Sequence, residues 1–273
     1  MSQSKFDKPN LNRAKADLCY TNIRGLRTNF PSVKAFAMNM SPHFIALSET
    51  GLEQSISNRE FDIPGYCPLI SKYDGVYVKD GFPCGRDTSH EDANLPFMCF
   101  RLALLHSTAF IFTLYRPQDD GCDVMDKIAS QIDKILISYH SANIHICGDF
   151  NVHHEEWLVH SNKTDPVGRY CHDFSVAYEL TQIIDSPTHV PDIIGQYHNL
   201  LDLTTCPNLC TANVLSPLGR SDHCMVTVAI DVQCKESTDV PFHRTVYRYS
   251  KADWDSFRFF LADALWNGYF HSS

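Results

Sequence analysis

The sequence of 273 residues lacks the features that mark several common protein classes. It has no apolar run approaching the length of a membrane span, and residues 1–15 are polar, without the apolar segment of a signal peptide. Positive charge is scarce, because 23 Lys and Arg residues stand against 32 Asp and Glu residues, a formal net charge of −9. We therefore expect an intracellular protein with a disordered stretch at 1–15 and no membrane segment. Any binding of a polyanion such as nucleic acid should depend on a local site and not on the overall charge.

Other signatures are missing as well. The sequence contains no glycine-rich phosphate loop after its first strand, no His-Glu-x-x-His and no Gly-x-Ser-x-Gly. Cysteine is plentiful, but the count of 11 is odd, and Cys19, Cys99, Cys147 and Cys224 lie in apolar runs. This pattern favours reduced, buried thiols over a disulfide framework. Cys206 and Cys210 have no matching second pair, so we do not expect a zinc centre.

What the sequence does contain is a globular composition, with 44% hydrophobic residues, in which apolar strands alternate with helices. Periodicity and turn residues predict helices at 31–40, opened by Pro31, and at 124–139 and 166–180. They predict strands at 17–23, 44–47, near 69–70, and at 97–104, 109–114, 143–148, 200–203, 212–215 and 224–232. The weak pattern between 72 and 94 indicates a ragged hairpin and an exposed loop.

Beyond residue 232 the composition changes. Residues 233–240 are a polar linker, and 249–266 are predicted to form a separate helix capped by Ser250, with Trp254, Phe257, Leu261 and Leu265 on its apolar face. The chain then ends without a stop signal of its own, as at the edge of a fragment.

The stretch 143–151 organises the rest of the chain. An apolar strand stops at Gly148 and is followed by Asp149, Phe150 and Asn151. One interpretation is a simple turn, since Gly-Asp and Phe-Asn suit turns. The other is a loop that presents functional side chains at the carboxyl end of a strand, with alternation placing Asp149 and Asn151 on the same side.

Polar residues also stand at the ends of other apolar strands. The positions at strand ends, or just outside them, are Asn22, Glu49, Tyr115, Asp149, Asn151, Asp222 and His223. A single polar strand end means little, but this recurrence predicts convergence on one face of a sheet structure. The adjacent His153 and His154 are instead interpreted as a solvated loop, because neighbouring strand residues face opposite sides.

The converging residue types suit metal-assisted phosphoryl chemistry. Hard divalent cations prefer oxygen ligands, and Glu49 supplies a carboxylate to which Asp222 could add a second. Asp149 could orient or deprotonate an attacking water, and His223 could donate hydrogen bonds to the developing charge. The amides of Asn22 and Asn151 and the Tyr115 hydroxyl could hold phosphate without altering the charge balance.

Eight short motifs occur along the chain in a recognisable order. They are Thr21-Asn22-Ile23-Arg24-Gly25-Leu26, Ser48-Glu49-Thr50, Glu60-Phe61-Asp62-Ile63-Pro64-Gly65-Tyr66, Tyr115-Arg116-Pro117, Gly148-Asp149-Phe150-Asn151, Ser186-Pro187-Thr188-His189, Leu201-Asp202-Leu203 and Ser221-Asp222-His223. This ordered set resembles the endonuclease/exonuclease/phosphatase superfamily. It is most similar to the apurinic-endonuclease-like branch found at the front of non-LTR retrotransposon polyproteins, and the resemblance covers about residues 16–232.

The resemblance implies a DNase I-like α/β fold, a four-layer sandwich with two packed mixed β-sheets. It implies Mg²⁺- or Mn²⁺-dependent cleavage of phosphodiester bonds in DNA that leaves a 3′-hydroxyl, as a nicking activity for retrotransposition in the nucleus. The late stretch 244–254 looks like the segment that joins such an endonuclease to a C-terminal reverse transcriptase.

The resemblance also assigns roles. Glu49 would be the metal carboxylate, with Asp222 and the neighbouring Asn22 as further metal ligands, and Asp149 would be the water-positioning base. Asn151 and Tyr115 would contact the substrate phosphate, as would His223. Asp222 and His223 would complete the site, and Asp202 would orient His223.

The sequence departs from the family pattern at a few places. Arg24 stands where repair enzymes of this fold carry an acid that assists the metal, Gln118 replaces a common proline, and 73–84 looks shortened. Two alternatives therefore remain: a phosphatase or ribonuclease of the same fold, or a non-catalytic copy acting as a binding module, which the altered region 72–87 motivates.

Overall fold

The computed structural model describes residues 15–231, except 54, 72–73, 93, 105–106, 191–198 and 207–209, and residues 252–263. Contacts divide the chain into two units, 1–240 and 241–273. The stretch 1–14, the linker 233–240 and the predicted cap Ser250 lie outside the described residues.

The first unit alternates strands and helices along the chain. Its helices are α1 (Leu26–Met40), α2 (Asp123–Ser138) and α3 (Pro166–Ala177). Its strands are β1 (Lys15–Asn22), β2 (Phe44–Ser48), β3 (Gly75–Val78), β4 (Cys84–Arg86), β5 (Phe97–Ala103), β6 (Thr108–Tyr115), β7 (Asn143–Asp149), β8 (Thr181–Gln182), β9 (Asp202–Cys206), β10 (Thr211–Pro217) and β11 (Cys224–Asp231).

The strands form two mixed sheets. A five-stranded sheet has the order β10-β11-β1-β2-β3, and a six-stranded sheet has the order β4-β5-β6-β7-β9-β8. In the first sheet only β1 and β2 pair in parallel, and in the second only β6 and β7 do, among the described strands. Each parallel pair is joined through a helix, α1 or α2, as a parallel connection requires.

Helices cover the outer faces of the packed sheets. On α1, Leu26, Val33 and Ala37 are buried in one cluster with Ile45 and Tyr77 of the five-stranded sheet. The inner faces of the two sheets meet, for example where the rings of Phe44 and Phe100 pack edge to face with centroids 5.1 Å apart.

On the other side, α2 buries the apolar stripe predicted from its periodicity, including Ile128, Ile132 and Ile135. The Phe110 ring on β6 packs against Tyr139 at the end of this helix, with a centroid distance of 5.3 Å. The predicted four-layer α/β sandwich with two packed mixed sheets is therefore confirmed.

Some element boundaries differ from the prediction. Helix α1 begins at Leu26 rather than Pro31, which lies inside the helix. Gly25, with φ 98°, turns the chain abruptly out of β1, so the helix starts directly after it. The strand expected at 200–203 starts only at Asp202 and runs to Cys206.

The weakly patterned region 72–94 contains a core strand, so the expectation of only a ragged hairpin and exposed loop was wrong. Strand β3 is fully buried and pairs antiparallel with β2, with Val76 opposite Ala46. Its continuous Gly-Val-Tyr-Val run has no period-2 alternation because the strand is covered on both faces. Near residues 69–70 there is only an isolated bridge between Ile70 and Val76.

Gly148 provides a test of how β6 and β7 pack. A Cβ at this position would lie 2.0 Å from the Leu114 carbonyl oxygen on the paired strand. We expect Gly148→Ala to lower the free energy of unfolding by about 3 kcal/mol, since backbone must move to accept the methyl group. Gly85→Ala is the matched control, because a Cβ there meets nothing within 4 Å. Equal denaturation midpoints for the two variants would contradict this packing.

The four thiols singled out above, Cys19, Cys99, Cys147 and Cys224, are buried and not in disulfides. No helix within the described part of the chain combines the length and apolarity needed to cross a membrane.

The second unit contains α4 (Trp254–Asp263). Its start is capped by Asp253, whose carboxylate accepts hydrogen bonds from the Ser256 backbone N–H at 3.0 Å and hydroxyl at 2.7 Å. Trp254 and Phe257 pack edge to face on the predicted apolar side, at a centroid distance of 6.0 Å.

Candidate active site

The two parallel pairs deliver polar residues to one edge of the sandwich. Asn22 ends β1 and Glu49 follows β2, while Tyr115 and Asp149 end β6 and β7. The Asn22 side-chain nitrogen donates to Glu49 Oε1 at 2.9 Å and to Asp149 Oδ2 at 3.0 Å. A single amide thus joins a carboxylate of one sheet to a carboxylate of the other.

Asp149 lies at the centre of this arrangement and is 1% exposed. Besides the bond from Asn22, its Oδ1 accepts the backbone N–H of Asn151 at 3.2 Å. Burial, together with the negative charges of Asp202 and Glu49, raises the pKa of Asp149 to about 7, although His223 and the Asn22 hydrogen bond act in the opposite direction. A carboxyl group with a pKa near neutrality is suited to taking up a proton.

His223 and Asp202 form a buried pair beside it. Asp202 stands directly opposite Asp149 in the pairing of β9 with β7. Asp202 Oδ2 lies 2.7 Å from His223 Nδ1, and on the other side of the ring His223 Nε2 lies 3.9 Å from Asp149 Oδ2. Burial lowers the pKa of His223, but the negative charges of Asp202, Asp149 and Asp222 outweigh it and raise the pKa to about 9. The ring is therefore positioned to donate from Nε2.

Asp222 adjoins the centre through its neighbour His223. Its Oδ2 is 2.5 Å from Arg24 Nη1 and 3.2 Å from His189 Nε2. Burial raises the pKa of Asp222, but the hydrogen bond from Arg24 and the positive charge of His223 lower it by more. The net pKa lies below the ordinary value for Asp, so the carboxylate is ionised. Arg24, which replaces an acid in the family pattern, thus supplies a positive charge at this point.

Tyr115 and Asn151 flank Asp149. Tyr115 is half-buried and stands beside Asp149 in the parallel register, on the same face of the sheet. Asn151 has φ 49°, and its amide nitrogen donates to the Arg116 carbonyl oxygen at 2.9 Å. The strand ends at Asp149, so the alternation argument that placed Asp149 and Asn151 on one side does not extend to Asn151.

The sequence reasoning missed the role of Arg116. Its side chain is fully buried and donates to the carbonyl oxygens of Phe150, at 2.7 Å, and of Asn151, at 2.5 Å. It also donates to the carbonyl oxygens of Gln118 and Asp120. Arg116 therefore fixes the loop that carries Asp149 and Asn151. The signals were its place in the motif Tyr115-Arg116-Pro117 and a charged residue directly after a buried strand.

The interpretation of His153 and His154 as solvated was wrong for His154. That side chain is buried, stacks on His172 with centroids 4.9 Å apart, and accepts the Trp157 backbone N–H at 3.1 Å. A local turn and a neighbouring helix decide this burial, and neither is visible in strand alternation.

The carboxylate oxygens of this centre fit a hard divalent cation. Within the described residues, ligand atoms of Asp149, Asp202 and His223 lie within 4.8 Å of one another, as do those of His189, Asp222 and His223. Oδ1 of Asp202 and Oδ1 of Asp222 are buried without a hydrogen-bond partner in the described structure. Several close carboxylates with unsatisfied oxygens are stabilised by a bound cation that prefers oxygen ligands.

Asn22 occupies a different position from the one expected of a metal ligand. Its amide nitrogen faces the two carboxylates, while its oxygen accepts the Arg24 backbone N–H at 3.2 Å. This orientation makes Asn22 a bridging donor.

The chain is similar to one protein family and to several solved structures. Residues 109–227 match the family model described as endonuclease-reverse transcriptase. No curated protein matches the chain. The endonuclease domain of TRAS1, a telomere-specific non-LTR retrotransposon, superposes with a TM-score of 0.63 at 14% identity, covering 81% of this chain and 100% of that one.

Two other solved structures have the same fold. An AP endonuclease from Archaeoglobus fulgidus gives a TM-score of 0.55 at 16% identity, over 79% of this chain and 100% of that one. The 3′-5′ exonuclease from Neisseria meningitidis gives 0.58 at 14% identity, over 78% of this chain and 100% of that one. At these identities the structural likeness establishes the fold alone.

Proposed function

We propose that this chain, whose resemblance to the endonuclease/exonuclease/phosphatase superfamily is confirmed by its family-model match and its fold, is a divalent-metal-dependent DNA endonuclease. It nicks target DNA for retrotransposition. The observation that carries the proposal is the Asn22 amide joining Glu49 to Asp149, with His223 and Asp202 beside them. Carboxylates, an imidazole and neutral amides in one centre suit hydrolysis of a phosphodiester.

Glu49 is the main carboxylate that would hold Mg²⁺ or Mn²⁺, and Asp222 would contribute from its unpaired Oδ1. When bound, the ion supplies Lewis-acid stabilisation of negative charge on the substrate oxygens. Asn22 holds the Glu49 and Asp149 carboxylates at fixed separation and donates to both, which reduces their mutual repulsion.

Asp149 acts on the attacking water. It accepts a proton from the water while the oxygen forms its bond to phosphorus and the bond from phosphorus to the 3′ oxygen breaks. The departing 3′ oxygen takes up a proton from solvent, which leaves a 3′-hydroxyl and a 5′-phosphate, and Asp149 then releases its proton to solvent. Its backbone and amide donors, Asn151 and Asn22, hold the carboxylate oriented for this transfer. A base with a pKa near the working pH combines the required protonation state with useful driving force.

His223 and its neighbours hold the phosphate. Asp202 accepts from Nδ1 and keeps Nε2 directed at the centre, where it donates to a non-bridging oxygen as charge develops. Tyr115 and Asn151 contact the same phosphate from β6 and from the loop after β7. Tyr115 and Asp149 lie on the same face of the sheet, which is consistent with their acting on one phosphate.

The wider setting of this activity belongs to the same proposal. The family model that matches is named for endonuclease-reverse transcriptase, which supports a reverse transcriptase domain following this one in a longer polyprotein. A target in genomic DNA would place the protein in the nucleus.

The test is nicking of supercoiled plasmid with Mg²⁺ or Mn²⁺, with and without EDTA. We expect open-circular product with either ion and none after chelation. Parallel reactions with single-stranded RNA and with a 3′-phosphorylated oligonucleotide test the ribonuclease and phosphatase alternatives. A well-folded protein that nicks under none of these conditions would favour the non-catalytic binding module.

The pH dependence follows from the two raised pKa values. Asp149 must be ionised and His223 protonated, so we expect kcat to rise with pH through about 7 and to fall as pH passes about 9. A bound cation can only move the lower limb to lower pH, because positive charge favours the carboxylate. Initial nicking rates between pH 5 and about 10 provide the profile. A rate that kept rising above the upper limb would contradict the role of protonated His223.

A further inference from the structure

We infer that His189 is a positioning residue that holds Asp222, and through it the ring of His223, in the geometry the reaction needs. The inference rests on the proposed function and extends it to a residue outside the centre assigned above. It is drawn from the contacts of a short strap, defined here as Thr188, His189 and Val190.

The strap connects the segment that carries Asp202 to the segment that carries Asp222 and His223. The Thr188 hydroxyl accepts the backbone N–H groups of Leu201, at 3.1 Å, and of Asp202, at 3.0 Å. On its other side, the Cys224 backbone N–H donates to the Thr188 carbonyl oxygen at 2.7 Å. The strap therefore spans from the start of β9 in one sheet to the start of β11 in the other.

The strap reaches Asp222 through backbone and side chain together. The Val190 backbone N–H donates to the Asp222 carbonyl oxygen at 2.7 Å, and His189 forms an isolated antiparallel bridge with His223. The His189 side chain adds the contact from Nε2 to Asp222 Oδ2 at 3.2 Å. Because an ionised carboxylate only accepts, Nε2 carries the hydrogen in this contact.

The ring of His189 also packs on the catalytic imidazole. The centroids of His189 and His223 are 5.0 Å apart with an interplanar angle of 61°. The Asp222 carboxylate thus lies between donors from two directions, the half-exposed Arg24 and the more buried His189. Two donors on one oxygen fix its rotation, whereas one leaves the carboxylate able to turn.

The consequence concerns which acid His223 pairs with. His223 is attracted by Asp202 and by Asp222, and the productive contact is the one to Asp202, since it directs Nε2 toward the centre. A carboxylate of Asp222 released from His189 can compete for the ring. Loss of the His189 donor should therefore lower kcat and leave KM for DNA nearly unchanged.

Three substitutions separate the donor from the ring. His189→Phe keeps an aromatic ring but removes the donor, His189→Gln keeps a donor but removes the ring, and His189→Ala removes both. In steady-state nicking assays we expect kcat to fall about 10-fold for the Phe and Ala variants and to stay within about 2-fold of wild type for the Gln variant. Far-ultraviolet circular dichroism and thermal unfolding show that each variant is folded.

A folded Phe variant with the wild-type kcat would overturn the inference, and so would a Gln variant as impaired as the Phe variant, since packing would then be the cause. A second readout does not need activity. The imidazole ¹⁵N chemical shifts of His223 should change in His189→Phe and remain as in wild type in His189→Gln. Absence of nicking by the wild-type protein would count against the proposed function, while these shifts would still decide the role of His189.

Discussion

Asp149→Asn is expected to lower the rate of plasmid nicking by about 10³-fold, because it removes the group that accepts the proton from water. The substitution keeps the size of the side chain, and its one oxygen can still accept from one of the two donors, the Asn22 amide or the Asn151 backbone N–H. Single-turnover nicking with Mg²⁺, at enzyme concentrations above KM, measures the chemical step. The effect should appear in kcat, with little change in DNA affinity.

A stability measurement accompanies this prediction. The folded-state pKa of Asp149, about 7, lies above the ordinary value for Asp, so stability is lost as pH rises from about 4 to about 7, and the loss is complete and constant above about 7. Asp149→Asn should therefore unfold at the same temperature as wild type or higher at pH 8. Asp119→Asn, in the exposed loop after β6, is the matched control and should retain full activity. An Asp149 variant that nicks as fast as this control would exclude Asp149 as the base.

His223→Ala is expected to lower kcat by about 10³-fold, because it removes the donor to the non-bridging phosphate oxygen. Asp202→Asn leaves the ring in place but weakens the 2.7 Å contact that orients it, so a loss of about 10²-fold is expected. The Asp202→Asn/His223→Ala double variant should be no slower than His223→Ala, since Asp202 acts through the ring. The same single-turnover assay measures all of these variants.

Two results would contradict this arrangement. Multiplicative losses in the double variant would mean that Asp202 contacts the substrate independently of His223. A shift in KM with an unchanged kcat would mean that His223 contributes to ground-state DNA binding alone. The pH profile offers a further check, because the fall in rate above about pH 9 should disappear in His223→Ala.

Local sequence was sufficient for most of the architecture. The alternation of apolar runs with amphipathic helices predicted strands close to the observed β1, β2, β5, β6, β7 and β11, and helix α2 almost to the residue. It failed where burial on both faces erased the alternation, as in β3, and where a positive-φ glycine rather than a proline set a boundary, as at Gly25. Asp202 was identified through the family resemblance, but its strand begins at this residue and not at residue 200.

The candidate site was predicted in composition but not in its contacts. Polar residues at strand ends predicted convergence at Asn22, Glu49, Tyr115, Asp149 and His223. The first four follow or end parallel strands, which end at the same edge of a sheet, whereas His223 precedes the antiparallel β11. Which atoms meet could not be read from spacing. Asn22 presents its nitrogen to the carboxylates instead of an oxygen ligand, and Asp222 pairs with Arg24 and His189.

The sequence by itself determined the residue types, their order and the strand ends from which they project, because these depend on periodicity and local turns. Only the tertiary structure decided that Asn22 bridges the sheets, that Asp202 opposes Asp149 in register, and that Arg116 and His154 are buried. Each of these depends on the packing of segments far apart in the chain. Asn22 and Ser221, for example, have a sequence separation of 199, and the Ser221 hydroxyl donates to the Asn22 carbonyl oxygen. Contacts across such separations arise from sheet register and layer packing, which no local pattern encodes.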